Sequence, residues 1–240
     1  MFVKGIWVAC AVGAVQVFLL AGVAQAVGAG FFDGFDTFDA ARWTKEDHTL
    51  GRSHLNPANV DVAGGNARLK IPAGTLQGAE LRSNELYHHG KYAARMRLPH
   101  APSSIIGFFL YRPPDHEREI DIEIFNDSTR RVMFTTYAGG GQTHTTTMQL
   151  PFDPTTGFHD YSFDYVGDAS TGKASVVFYA DGRPRKSWDT GIPNTPMHLM
   201  VNSWFPTWLE GRKPKKTVYT QIDRIRYDAN SEAVAATPTP

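Results

Sequence analysis

The sequence predicts an all-β domain, a sandwich or jelly roll of two curved antiparallel sheets. After residue 30 the chain is a series of short β-prone runs separated by Gly, Pro, Asn and Asp. No long stretch places apolar residues at helical spacing, so no helix is predicted. About nine such runs at short intervals in one domain are typical of two packed antiparallel sheets.

Nine strands are predicted, with turn residues between several of them. In chain order they are ARLKI (67–71), GKYAARMRL (90–98), IIGFFLY (105–111), EIDIEIF (119–125), RVMFTTY (131–137), HDYSFDYV (159–166), ASVVFYA (174–180), MHLMVNSW (197–204) and TQIDRIRY (220–227). The pairs Asn126-Asp127 and Asp181-Gly182 favour tight turns directly after two of these runs. Residues 229–240 are small, polar and proline-bearing, which predicts a disordered tail.

Length and charge limit the classes of partner. A chain of 240 residues is ample for one domain, which we place at 27–228. Lys plus Arg equals Asp plus Glu at 24 each, so the formal net charge is zero. We therefore expect no general attraction to nucleic acid or to an anionic membrane. A neutral polymer suits this surface.

The N-terminus has the three parts of a secretory signal peptide. Lys4 precedes a long apolar run, and Ala24-Gln25-Ala26 is a small-residue cleavage site, so we expect a signal at 1–26. The alternative is an uncleaved N-terminal anchor. Either version exports the domain to the periplasm or the extracellular space, and after cleavage no membrane contact is expected. The one cysteine, Cys10, lies in this segment, so a disulfide is excluded from the mature domain.

The run REIDIEIF places three carboxylates on one face of a strand. Side chains alternate between faces, so Glu119, Asp121 and Glu123 oppose a face of isoleucines. Carboxylates so close together repel and raise one another's pKa values. This repulsion costs free energy, which a strand without a function has little reason to retain. Retaining glycoside hydrolysis uses two carboxyl groups about 5–5.5 Å apart, one as nucleophile and one as acid/base.

Three interpretations of this strand stay open. Residues four apart on a flat strand lie roughly 13 Å apart, so a catalytic pair requires the acidic face to be concave. Asp121 would then adjust the proton affinity of a neighbouring carboxyl group. A solvent-exposed acidic stripe and a calcium site are the alternatives, although three acids on one strand make a poor cage without further ligands.

The chain resembles glycoside hydrolase family 16 over nearly its whole mature length. The resemblance rests on GAELRSNELYHHGKYAARMRL, GFFLYRP, EIDIEIF, TGFHDYSFDY, FYADGRPRKSW and LMVNSWFPTWL, which occur in the family's order. EIDIEIF lacks the residue that laminarinase-type members insert, which favours the lichenase and xyloglucan-transglycosylase side. The resemblance implies a concanavalin-like jelly roll and a retaining endo-β-glycanase that needs no cofactor for its chemistry. By position, Glu119 resembles the nucleophile, Asp121 the assisting carboxylate and Glu123 the acid/base.

The same resemblance implies the remaining site residues. The positions that match sugar-contacting residues are Glu80, Arg82, Tyr111, Tyr137, Asn202 and Trp204. Aromatic rings can stack on pyranose faces, while Asn and Arg donate directed hydrogen bonds to hydroxyl groups. Asp223 matches a ligand of a structural calcium, or else it is a salt-bridged surface residue. A polysaccharide substrate and a monomeric enzyme are expected.

Three positions depart from the lichenase pattern. Glu117 stands where an aromatic residue is usual, and Met133 and Thr135 replace polar sugar contacts. These changes weaken a strict mixed-linkage specificity, so a decorated or charged exopolysaccharide is a further candidate substrate. A xyloglucan-type transglycosylase and a non-catalytic polysaccharide-binding jelly roll are the alternative functions.

Overall fold

A computed structural model describes residues 28–168 and 171–229, and it confirms the all-β prediction. Apart from a short 3-10 turn at Pro57–Asn59, the regular structure is strand. The strands are β1 Phe31–Asp33, β2 Trp43–Lys45, β3 His48–Leu50, β4 Ser53–Leu55, β5 Val60–Val62, β6 Ala67–Ile71, β7 Ala79–Tyr87, β8 Gly90–Arg97, β9 Ile105–Tyr111, β10 Glu119–Phe125, β11 Arg131–Tyr137, β12 Thr143–Gln149, β13 His159–Asp168, β14 Lys173–Ala180, β15 Arg183–Trp188, β16 Met197–Trp204 and β17 Val218–Ala229.

Two large antiparallel sheets form the sandwich. One has seven strands in the order β12-β11-β10-β9-β16-β7-β2. The other has eight, in the order β15-β14-β13-β8-β17-β6-β5 with β1 paired to β17. Aromatic residues join the sheets in the core, where Phe134 stacks on Phe178 at 4.8 Å and Phe108 meets Phe163 at 5.6 Å between ring centroids. The buried layer fixes which face of the seven-stranded sheet is left free.

All nine predicted strands are present, five of them with the predicted bounds. The Asp181-Gly182 turn joins β14 to β15 with both residues at positive φ, as a tight hairpin turn requires. Eight strands of the described residues were not among the predicted nine: the three-residue strands β1 to β5, and β7, β12 and β15. The run AELRSNELY in β7 breaks the apolar alternation with polar residues, and THTTTMQ in β12 has one apolar residue, Met148.

Strand β16 lies between β9 and β7 although it comes from far along the chain. Antiparallel pairing sets Asn202 opposite Gly107 on β9 and opposite Glu80 on β7. Strand β16 therefore joins two parts of the sheet that come earlier in the chain. Its residues that face the core and the free face are in register with those of β9 and β7.

A small third sheet, the hairpin β3–β4, stands beside the seven-stranded sheet. Arg52 in its turn binds residues 205–211, which we term the rim loop. The Arg52 guanidinium donates to the carbonyl oxygens of Pro206 at 3.0 Å, Leu209 at 2.6 Å, Ser103 at 3.3 Å and Gly211 at 3.4 Å. The main chain adds a bond from Arg52 N to Phe205 O at 2.8 Å. Hairpin and rim loop thus form one continuous wall.

The predicted signal peptide with Cys10, and the tail beyond Ala229, lie outside the described residues. Strand β17 takes in Ala229, the first residue assigned to the tail. Within 28–168 and 171–229, no helix has the length and apolar character needed to cross a membrane.

Candidate active site

An open cleft of about 1020 Å³ crosses the free face of the seven-stranded sheet. Its floor consists of alternate residues of β7, β9, β10, β11 and β16, and the hairpin β3–β4 and the rim loop contribute to its sides. The predicted site residues on these strands all line it: Glu80, Arg82, Tyr111, Glu119, Asp121, Glu123, Tyr137, Asn202 and Trp204. The structure therefore brings together residues that are spread over more than half of the chain.

Strand β10 supplies the three carboxyl groups at the centre of the floor. Its isoleucines, Ile120, Ile122 and Ile124, are fully buried in the core, so the acidic residues must point into the cleft. The alternation read from the sequence is confirmed.

The neighbouring strands give each carboxyl group a different environment. Glu119 lies between the tyrosines Tyr111 and Tyr137. Asp121 lies between Phe109 and Thr135, and Glu123 between Gly107 and Met133. The floor at Glu123 is therefore open on the β9 side, where glycine leaves room for another side chain.

Burial raises the pKa of each of these carboxyl groups. It lifts the pKa of Glu119 to about 7, against a hydrogen bond from Asp121 that lowers it, while the Asp115 charge adds to the rise. The pKa of Glu123 rises to about 8, because of burial and then the charge of Glu119. For Asp121, burial and both glutamates hold the pKa well above its ordinary value.

These directions define a proton arrangement for the strand. The raised pKa of Asp121 favours its protonated form, which donates toward Glu119 and so favours the carboxylate form of Glu119. Glu123 keeps its proton to higher pH than Glu119. One ionised and one protonated carboxyl group can thus share the cleft near neutral pH.

A hydrogen-bonded chain leads from the strand beside Glu123 to the cleft wall. Gly107 N donates to Asn202 Oδ1 at 3.1 Å, and Asn202 Nδ2 donates to Glu80 Oε2 at 2.9 Å. The second Glu80 oxygen, Oε1, lies 2.9 Å from Nε2 of His48 on the hairpin. Glycine at position 107 makes room for this bond, since a Cβ there would lie 2.7 Å from Asn202 Oδ1 and would force Asn202 to shift. The chain fixes Asn202 and Glu80 from both ends.

The other predicted contact residues have partners at the cleft edge. Arg82 donates through Nε to Glu46, and Tyr111 donates to Asp115. The ring of His116 lies 5.0 Å from that of Tyr137. Arg82 is thus paired with Glu46 and not with Glu119, and Tyr111 and Tyr137 flank Glu119.

Tryptophans border the cleft on the side of the rim loop. Trp204 lines the cleft and packs so close to Gly51 that a Cβ there would lie 2.7 Å from its ring. Trp208, which the sequence interpretation did not select, is 52% exposed and meets Phe125 edge-on at 5.9 Å. A sugar chain in the cleft has these two indole rings within reach.

His48, Asp115 and Trp208 are among the cleft residues that the sequence interpretation did not select. They lie on the hairpin β3–β4 or on loops whose course the strand pattern does not determine. A polar residue outside a periodic run carries no signal of the direction in which it points.

Asp223 does not lie in the cleft but on β17 of the other sheet. Its Oδ2 lies 2.6 Å from Arg224 Nη1 and 3.8 Å from Arg95 Nε. Among residues 28–168 and 171–229, no group of three or more His, Cys, Asp or Glu side chains is arranged to hold a metal ion. Asp223 is thus salt-bridged to Arg224 and Arg95, and a structural calcium ion at this residue stays a prediction.

Comparisons with known proteins agree with this geometry. The family model described as Glycosyl hydrolases family 16 matches residues 47–223. The beta-glucanase of Bacillus subtilis (strain 168) is 30% identical over 215 residues, which cover 83% of this chain and 86% of that protein. The beta-glucanase of Paenibacillus macerans is 28% identical, covering 88% and 93% of the two chains. The solved Bacillus licheniformis beta-glucanase superposes with a TM-score of 0.74 at 26% identity, over 85% of this chain and all of that one (100%).

Proposed function

Because the chain belongs to glycosyl hydrolase family 16, we propose that it cleaves internal bonds of a β-glucan with retention, using Glu119 and Glu123. It is a glycoside hydrolase acting on O-glycosyl bonds, and its relatives are beta-glucanases. The observation that carries the proposal is the set of three carboxyl groups on the floor of an open cleft, with Asp121 buried between the half-buried Glu119 and Glu123, whose proton affinities differ.

The chemistry follows from the proton arrangement on β10. Glu119, ionised and supported by the proton of Asp121, attacks the anomeric carbon and forms a glycosyl ester. Glu123 gives its proton to the departing glycosidic oxygen as that bond breaks. Glu123 then takes a proton from water as the water oxygen attacks the anomeric carbon, and the bond from that carbon to Glu119 breaks, which releases the carboxylate of Glu119 and the sugar. Two inversions return the original configuration.

The charge of the cleft supports a neutral polymer. Besides the three carboxyl groups of β10, its lining includes Glu46, Glu80 and Asp115. The one arginine in the lining, Arg82, is already paired with Glu46. A polyanionic chain entering this cleft meets like charge, whereas the hydroxyl groups of a neutral β-glucan meet hydrogen-bonding partners.

The test is release of reducing ends by purified residues 27–240 from barley β-glucan, lichenan, laminarin, xyloglucan, carrageenan and succinoglycan. Glu119→Gln is assayed in parallel. We expect release from a neutral β-glucan and none from the variant. Glu119→Ala with added azide should yield the glycosyl azide of inverted configuration, because azide replaces the missing nucleophile. Glu123→Ala with azide should yield the glycosyl azide of retained configuration, because azide replaces water in the second displacement.

Other outcomes distinguish the alternatives. Near-normal activity in both single variants would refute the assignment of Glu119 and Glu123. Binding of a polymer without release by the wild type would favour a non-catalytic binding domain, and release only when an acceptor oligosaccharide is present would favour a transglycosylase.

We also propose that the enzyme works outside the cytoplasm as a monomer. The composition of residues 1–26 supports export. The mechanism above needs no metal ion.

A further inference from the structure

The bond between His48 and Glu80 connects the cleft wall to the cleft floor. Glu80 is a buried carboxylate, with 2% of its side chain exposed, whereas 43% of the His48 side chain is exposed. Both oxygens of Glu80 are occupied, Oε1 by His48 and Oε2 by Asn202. A buried carboxylate that loses one of its two partners is costly, so the position of Asn202 depends on His48.

The surroundings of the His48 ring select its charged form. Nε2 faces a carboxylate oxygen at 2.9 Å, and Nδ1 faces the carbonyl oxygen of Thr49 at 3.4 Å. Both partners accept and neither donates, so a ring with protons on both nitrogens satisfies both contacts. The hydrogen bond to Glu80 raises the pKa of His48, and the charge of Glu46 adds to the rise, against the lowering effect of burial.

We propose that His48 is a positioning residue that, as an imidazolium, holds Glu80 and through it Asn202 in place for sugar binding beside Glu123. This inference rests on the proposed function, because it assigns a role in the same cleft. His48 lies on the hairpin β3–β4, which forms the cleft wall, whereas Glu80 lies on a strand of the cleft floor. The hydrogen bond between them therefore also keeps the wall against the floor.

Loss of the His48 proton should weaken polysaccharide binding. The pKa of His48 is raised in the folded protein, so the ion pair is complete below about pH 6.5 and is lost as pH rises through the raised value. The charged groups that face His48 are Glu80 and Glu46, the latter paired with Arg82. Asp47 on the hairpin side is bound by His54 at 3.2 Å. KM should therefore rise on the alkaline side independently of the carboxyl groups that control kcat.

The first experiment measures KM and kcat on barley β-glucan from pH 5.5 to 9 for the wild type, His48→Gln and His48→Ala. Glutamine can still donate to Glu80 but does not titrate, so its KM should be independent of pH. His48→Ala should raise KM about tenfold at pH 6, the loss expected for a hydrogen bond to a charged group, with kcat little changed. His54→Gln is the matched control, since His54 is on the same hairpin, pairs with a carboxylate and is absent from the cleft lining.

The second experiment needs no turnover and so separates this proposal from the proposed function. The ring protons of His48 are titrated by NMR in the wild type and in Glu80→Gln. A midpoint above the ordinary histidine value that falls in Glu80→Gln supports the ion pair, whatever the substrate. An unchanged midpoint overturns the proposal. A wild-type KM that does not change with pH, or a His48→Gln profile equal to that of the wild type, overturns it as well.

Discussion

Gly107 lies opposite Glu123, and replacing it by alanine should disturb the cleft through Asn202. The added Cβ would lie 2.7 Å from Asn202 Oδ1, about 0.7 Å short of an ordinary contact of 3.4 Å. Asn202 now accepts from Gly107 N at 3.1 Å. A retreat of that size takes the bond beyond the roughly 3.2 Å limit for N–H···O bonds. The buried amide of residue 107 then loses its partner, and the bond from Asn202 to Glu80 is displaced.

The expected cost of Gly107→Ala is about 1–3 kcal/mol in the free energy of unfolding, the penalty for an unsatisfied buried donor. For a domain of this size that lowers Tm by roughly 2–10 °C. The ratio kcat/KM on barley β-glucan should fall about tenfold or more, because Asn202 lies beside Glu123, the proposed acid/base. Thermal unfolding and initial rates check both. Gly157→Ala is the control, as its Cβ meets nothing closer than 3.9 Å. A Gly107→Ala enzyme with the Tm and rate of the wild type would refute this steric account.

Two further predictions concern the pH profile and the cleft wall. The rate should show a bell-shaped pH profile with its maximum between about pH 7 and about pH 8. It should fall below about pH 7 as Glu119 gains a proton and above about pH 8 as Glu123 loses one. An optimum near pH 5 in initial-rate assays would contradict the effect of burial on these pKa values. Arg52→Ala removes the donor to four carbonyl oxygens, so it should lower Tm and make the rim loop a site of limited proteolysis, and Arg52→Lys should restore only part of the loss because one ammonium has fewer donors. An Arg52→Ala protein that resists protease like the wild type would show that the loop is held by other contacts.

The floor of the cleft could be predicted from the sequence, because the alternation of side chains along a strand determines which residues share a face of the sheet. In EIDIEIF the isoleucines must enter the core, which leaves Glu119, Asp121 and Glu123 on the free face. MHLMVNSW likewise places Asn202 and Trp204 on one face, and both line the cleft.

The wall and the bonds across strands could not be predicted in the same way. His48 lies on a three-residue strand that is too short for a periodic signal, and its partner Glu80 lies 32 positions away. Arg52 reads as an ordinary surface residue until the rim loop is folded against it. The number of strands was also underestimated. Strands β1 to β5 have three residues each, which is too short for a periodic signal, and β7 and β12 carry polar residues toward the cleft or solvent.

The position of β16 in the sheet has a consequence for the order in which the enzyme becomes competent. Strands β9, β10 and β11 are neighbours in sequence and pair through short connections, but the gap between β9 and β7 is filled only by residues 197–204. Pairings of such high sequence separation form late and slowly. A nascent or truncated chain that ends before Asn202 therefore holds its acidic strand without the cleft around it. A complete cleft thus depends on a strand that follows the acidic strand by a long stretch of chain, so chains that end before β16 carry the three carboxyl groups without the residues that would bind a polymer beside them.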